Sequence, residues 1–428
     1  MSKFVGILLS LFCVFGECEC LSQGIEDSAN IDFDTPSYTH VFKERNAYLS
    51  AMGDTKKQNR ARHDHIHEVV FVIQQKNMDE LTSILHDISD PYSPNYGRHW
   101  TREEVVDFTS NPDGRDAVVS YLHSNGASFV SETLAGEYIT ARASIEVWEK
   151  ILNTEFFLFT LTHHDKSIQN VIRAERYWIP RDLDIYVASV LNTIEIHHQI
   201  LKSPSKVSLA SKIGKFSSTA FGYVTPTKLR DYYNMSTAMG SVNSTQAVFA
   251  SIGQGYSPKL LAAFQQAQGS FVMPVARNYG NYANDTLCIG TDKCLEGMLD
   301  VEYIMTMSPK SPTTFWYTDS WFATWLVEVG NSVDPPKVLS FSYITTEIGL
   351  TASQHDTFDV AAIKLGTMGV TFVAASGDDG AGLFGQCGFR PGYPAASPYV
   401  LTVGGTMVSR TFAFILDYSP IDLFIDAI

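Results

Sequence analysis

The chain has 428 residues, 45% of them hydrophobic and only 18% charged. That is enough apolar material for two or three packed domains, and it excludes a disordered tail or a coiled coil. Acidic residues outnumber basic ones 46 to 31, for a formal net charge of −15, which argues against a nucleic-acid or anionic-membrane partner, since both need a basic surface.

Met1-Ser2-Lys3 leads into an apolar run from Phe4 to Phe15 that Glu17 and Glu19 end abruptly. One lysine, a short apolar run and small residues fit a secretory signal peptide over residues 1–20. The run is too short to cross a bilayer core of about 30 Å. No later run is longer, so the expectation is a soluble protein of the secretory pathway with no membrane partner. Residues 21–64 are polar and read as irregular. From 65 to 200 the pattern is regular. His67 to Ile73 reads as a strand, and Met78 to Ile88 has helical spacing until Asp90-Pro91-Tyr92-Ser93-Pro94 stops it. Thr101-Arg102-Glu103-Glu104 is a capping box, and Asp116 to Asn125 is a third helix. Strands near Ala127 to Ser131 and Tyr138 to Ala141, a helix from Ser144 to Leu152 and a strand from Glu155 to Leu161 complete a split βαβ, ferredoxin-like order.

Residues 201–220 are rich in Ser and Lys and read as an exposed linker. A second domain, residues 221–408, alternates strands with helices. The strands are expected at Ala247 to Ile252, Thr313 to Tyr317, Val338 to Ser342, Val370 to Ala375 and Tyr399 to Val403. The helices are expected at Pro258 to Gln268, Leu295 to Met307, Trp321 to Val329 and Ser353 to Leu365. Such alternation predicts a doubly wound, mostly parallel α/β sheet with ligands beyond the carboxyl ends of its strands. Residues 409–428 break the pattern: Phe412 to Leu416 and Leu423 to Ile425 are apolar with no helix or strand set to cover them, and the sheet reads as incomplete.

Cys13, Cys18 and Cys20 lie in or beside the signal segment. Cys288 and Cys294 flank five residues and are spaced to close a small disulfide loop, which leaves Cys387 over. No His or Cys lies at zinc-ligand spacing from the pair, so no metal site is expected there. The sequons at Asn234, Asn243 and Asn284 mark surface loops of a glycoprotein. His63, His65 and His67 alternate, and His163-His164 and His197-His198 are pairs; some of these are expected to charge below about pH 6.5 and loosen residues 65–200 from the second domain.

Two constellations carry chemistry. In Leu295-Glu296-Gly297-Met298-Leu299-Asp300, spacing i, i+4 puts Glu296 and Asp300 on one face of a helix with no basic residue at i+4 to neutralise either. A solvated helix face is one reading; a general base held by a second carboxylate is the other. The second is Val370 to Gly382, an apolar strand running into a glycine-rich loop with Asp378 and Asp379. It lacks the glycine pattern and lysine of a phosphate loop, and two aspartates are too few for calcium.

The loop Ala375-Ser376-Gly377-Asp378-Asp379-Gly380-Ala381-Gly382, the stretch from Phe389 to Val400 and Thr402-Val403-Gly404-Gly405-Thr406 resemble the sedolisin family of serine-carboxyl peptidases, and within it the lysosomal tripeptidyl peptidases most. Glu296 to Tyr303 is similar to the family's E-x-x-x-D helix, and Asp90 to Gly97 to a turn of its inhibitory prodomain. The resemblance implies a subtilisin-like fold behind a prodomain and a Ser-Glu-Asp triad working in acid. Glu296 would be the base, Asp300 its orienting partner and Asp378 the oxyanion-site donor. It also implies calcium as the family's metal, a lysosomal or secreted location, the chain's own prodomain as partner, and as substrates polypeptides with free N-termini from which tripeptides are released. The family's S-G-T-S-x-x-x-P nucleophile motif and C-terminal calcium loop do not occur in the sequence. Ser376, Ser409 and Ser419 do not fit that motif. The expectation is therefore a C-terminally truncated chain without a nucleophile, inactive as a peptidase and at most able to bind peptide or a prodomain.

Overall fold

The computed structural model describes residues 39–46, 55–162, 168–196, 201–202, 224–289, 291, 293–318, 321–332, 334–347, 350–378 and 391–405. The signal segment, most of the linker, both histidine pairs, Asp379, Cys387 and residues 409–428 lie outside these residues. The N-terminal region runs β1 (His40–Arg45), β2 (Thr55–Arg60), β3 (Ile66–Ile73), α1 (Met78–Ser89), α2 (Arg102–Thr109), α3 (Pro112–Ser124), β4 (Ser128–Glu132), β5 (Tyr138–Ser144), α4 (Ile145–Ile151), β6 (Phe157–Thr162), β7 (Ile168–Arg173), β8 (Arg176–Pro180) and β9 (Val187–Leu191). After β10 (Leu201–Lys202) come α5 (Pro226–Tyr232), β11 (Gln246–Ala250), α6 (Pro258–Ala267), β12 (Arg277–Tyr279), α7 (Leu295–Met307), β13 (Thr313–Tyr317), α8 (Phe322–Asn331), β14 (Val338–Phe341), β15 (Tyr343–Thr346), α9 (Ala352–Thr367), β16 (Thr371–Ala375), β17 (Gly392–Tyr393) and β18 (Leu401–Val403).

In the N-terminal region Val69, Phe71 and Ile73 alternate inward from β3 and pack with Val118, Leu122 and Trp148 into one core. The Trp148 indole N–H is satisfied by His67 O at 2.9 Å. The sheet order is β4-β5-β3-β9, antiparallel throughout. The strand expected at Glu155 to Leu161 exists as β6 but pairs with β2 and β7 in a separate sheet, and Val187–Leu191 takes the outer place beside β3. The supposedly irregular segment before His65 supplies two strands, β1 and β2; charged, exposed β2 is fixed by pairing with β6, which no local pattern encodes. The capping box of α2 is present: Glu104 N–H donates to Thr101 Oγ1 at 3.2 Å, and Thr101 N–H donates to Glu104 Oε2 at 2.7 Å. α3 begins four residues earlier than expected, because Asn111 caps it by accepting from Gly114 N–H and Pro112 stands at its first position.

The second region is built on a six-stranded sheet in the order β12-β13-β11-β14-β16-β18, with every pairing parallel. Its central strands read as continuous apolar runs because both faces are covered. Ala247 and Phe249 face the cluster built with α8 and α9, while Val248 and Ala250 face the cluster built with α6 and α7. Phe249 lies against Phe322, Trp325, Phe341 and Tyr343, with ring centroids 4.9–5.9 Å apart.

The two regions meet along α9. Leu81 and Val105 pack on Ile363, and Ser353 N–H, in the first turn of α9, donates to Glu44 Oε1 at 2.9 Å. A cavity of about 230 Å³ lies at this seam, lined in part by Val72, Met78, Arg102, Leu326, Asp356 and Val360.

Candidate active site

The site is assembled where β11 turns into α6. Ile252 (φ 54°) and Gly253 (φ 66°) both take left-handed backbone, which folds Gln254 under the start of α7. Gln254 is 2% exposed, and its Oε1 accepts Glu296 N–H at 3.1 Å. Cys294 at the N-cap contributes no side-chain cap, so Gln254 takes over that task from another segment. Gly297 is required by contact: a Cβ there would lie 2.3 Å from Gly255 O. Gly255 N–H donates to Lys293 O at 2.7 Å, and a Cys288–Cys294 disulfide (S–S 2.03 Å) closes the loop before the helix.

Glu296 and Asp300 therefore share a face of α7 that looks across the sheet's carboxyl edge. Asp300 Oδ1 accepts the Ser342 hydroxyl at 2.7 Å; Ser342 joins β14 to β15. Asp300 Oδ2 is buried and makes no hydrogen bond among the described residues. Burial first, and then the Glu296 charge, push the Asp300 carboxyl up to about 8, against the Ser342 hydrogen bond, which favours the ionised form. Asp300 is thus a neutral carboxylic acid in acid and near-neutral solution. The Tyr343 phenol is raised by burial and by the Asp300 and Glu296 charges, which puts it beside the pair. Glu302, on the other side of α7, is pushed up to about 7 by burial.

Asp378 is the third residue after β16 and is exposed. Gly377 before it has φ 100°, and Ser376 N–H donates to Val403 O at 3.0 Å. Since β16 is the ladder neighbour of β14, Asp378 leaves the sheet beside the strand end that carries Ser342. The structure thus joins Asp300 to the β14 end by a hydrogen bond and sets Asp378 at the adjacent strand end. Sequence reading missed Ser342, Gln254 and Tyr343. Gly253-Gln254-Gly255 carried a signal, an amide between two glycines at a strand end; Ser342 carried none.

The sequons fall on exposed residues, Asn234, Asn243 and Asn284. His67 departs from the expected histidine switch: burial lowers it to about 4, so it stays neutral through mild acid. Among the described residues no three His, Cys, Asp or Glu side chains converge to hold a metal. No helix among the described residues is long and apolar enough to cross a membrane.

The family model of the pro-kumamolisin activation domain matches residues 53–196. The chain is 28% identical over 377 residues to tripeptidyl-peptidase 1 of Macaca fascicularis, covering 82% of this chain and 64% of that protein. It is 29% identical over 391 residues to tripeptidyl-peptidase 1 of Dictyostelium discoideum (82% and 63%). With physarolisin of Physarum polycephalum the identity is 28% over 377 residues (83% and 62%). The chain thus spans a little under two thirds of these relatives. Among solved structures, Pseudomonas sedolisin, a serine-carboxyl proteinase complexed with pseudo-iodotyrostatin, is 21% identical with a TM-score of 0.35, covering 44% of this chain and 55% of that one.

Proposed function

From a chain that is a relative of the tripeptidyl-peptidase 1 and sedolisin peptidases, we propose the carboxylate machinery of an acid-acting serine-carboxyl peptidase, kept as a precursor by a ferredoxin-like region within residues 65–200. Its reaction releases tripeptides from the free N-termini of unfolded polypeptides in the lysosome or outside the cell. Glu296, ionised, takes the proton of the attacking serine hydroxyl. Asp300, neutral, orients Glu296 by offering it a donor. Asp378 donates to the oxyanion of the tetrahedral intermediate. A carboxylic acid donates only while neutral, which favours low pH and explains carboxyl groups where neutral-pH serine peptidases use histidine and amide donors. The observation that carries this reading is Asp300, a half-buried acid one helical turn from Glu296 whose Oδ1 is held by Ser342 at the strand edge and whose Oδ2 is buried.

The sequence holds no S-G-T-S stretch, so the 428 residues alone are proposed to release no tripeptide and to retain at most binding of peptide or of their own pro-region. Transcript sequence beyond Thr406 separates the two readings. An in-frame S-G-T-S, with acid-dependent tripeptide release that Glu296→Gln abolishes, supports the enzyme; release that survives Glu296→Gln removes the base assignment. A stop at Ile428, with no release from a tripeptide amide after acid treatment, supports the binding-only form.

A further inference from the structure

Asp300 has two carboxyl oxygens in unlike surroundings. Oδ1 accepts the Ser342 hydroxyl at 2.7 Å, and Oδ2 is buried without a hydrogen bond from the described residues. Ser342 reaches this position because it stands at the break between β14 and β15, where the chain leaves the parallel sheet and β15 pairs with β10 and β17 instead. A serine hydroxyl offers one proton, so giving it to Oδ1 leaves that oxygen the poorer place for the acid's own proton. Among the described residues, the titratable groups acting on Asp300 are Glu296 on its own helix and Tyr343 on β15. Neither is cationic, so among them no ion pair competes with Ser342 for the orientation of the carboxyl.

We propose that Ser342 is a positioning residue of the carboxylate pair: its hydroxyl holds Asp300 Oδ1, confines the acid proton to Oδ2 and so fixes which oxygen Asp300 donates from. The use of that donor toward Glu296 rests on the peptidase reading; the placement of the proton does not. Removing the hydroxyl withdraws a donor that favours the ionised form, so the proton affinity of Asp300 must rise, by about tenfold for a hydrogen bond to a charged group.

The test is a carboxyl-carbon NMR titration of the 428-residue protein labelled at aspartate, with the Asp300 signal identified by its loss in Asp300→Asn. Ser342→Ala is expected to move the Asp300 midpoint up by about one pH unit, and Ser342→Thr, which keeps the hydroxyl, to hold the parental midpoint. An alanine midpoint that is unchanged or lower overturns the assignment, as does a threonine midpoint displaced as far as the alanine one. Should the alanine variant not fold, Ser342→Cys, a near-isosteric and weaker donor, is read instead: a smaller rise supports the assignment and no rise overturns it. The readout is the acid's proton rather than turnover, so a chain that proves not to be a peptidase leaves the expected shift standing.

Discussion

Lys364 of α9 and Glu137 of the N-terminal region meet at 3.0 Å across the seam between the two regions, with side chains 11% and 14% exposed. Lys364 Nζ also donates to Gln75 Oε1 at 3.2 Å. Burial raises the Glu137 carboxyl, but the Lys364 charge and the hydrogen bonds from Lys364 and Thr133 outweigh it, and the net direction is down. A depressed carboxyl stabilises the fold above its unfolded value and loses that contribution as pH falls through its folded value. The pair therefore fastens the seam at neutral pH and releases it only below the ordinary glutamate range. Glu137→Gln leaves Lys364 half-satisfied and is expected to cost about 2–3 kcal/mol at pH 7 while flattening the loss of stability below pH 4. Urea unfolding at both pH values checks this; an undiminished acid dependence in the variant contradicts it.

Gly297 permits the approach of α7 to the β11 loop. Alanine there would set its Cβ 2.3 Å from Gly255 O, a backbone atom that cannot turn aside. Although alanine is the better helix former, Gly297→Ala is expected to destabilise by about 2–3 kcal/mol through forced displacement. A variant as stable as the parent, measured by denaturant midpoint at constant slope, would show that the helix slides freely.

Much of this was legible beforehand, for definite physical reasons. The expected span of α7 agrees with the structure because a helix of unbroken apolar periodicity with buried Met298, Val301 and Met305 announces itself locally. So does Thr313–Tyr317, a short apolar strand covered on both faces. β2 was illegible because Lys56 to Arg60 are all exposed and the strand exists only through its partner β6. Ser342 was illegible for the same kind of reason: its hydroxyl matters through Asp300, 42 residues away in sequence. The acid pair could be proposed from its i, i+4 spacing, but that spacing says nothing of which carboxyl is held at a strand end. Only packing against the β14 end singles out Asp300.

The Cys288–Cys294 disulfide ends at the N-cap of α7, two residues before Glu296. Closing so short a loop is worth about 2 kcal/mol by chain entropy. Replacing both cysteines by serine is expected to lower stability by that amount and to speed hydrogen exchange at Glu296 N–H, which then rests on Gln254 alone. Exchange at the Phe249 amide in the sheet core should slow or quicken only with global stability. Equal acceleration at both amides would mean that the loop braces the whole domain rather than the helix start.

Asp300 makes the sharpest statement about pH. Its carboxyl is pushed up to about 8 by burial and by Glu296, while in an unfolded chain it ionises near the ordinary aspartate value of about 4. Between those values the folded state binds more protons than the unfolded one, so stability falls as pH rises through the interval. Asparagine keeps the shape and an acceptor for the Ser342 hydroxyl but has no proton to lose. Asp300→Asn is therefore expected to match the parent near pH 4 and to exceed it by about 1–3 kcal/mol at pH 7, the size expected of a strongly shifted and partly relaxed site. Thermal unfolding across pH 4 to 8 decides it. Curves that stay parallel over the whole range would mean that Asp300 ionises normally in the fold, and with that the neutral donor of the proposed acid-working site would be gone.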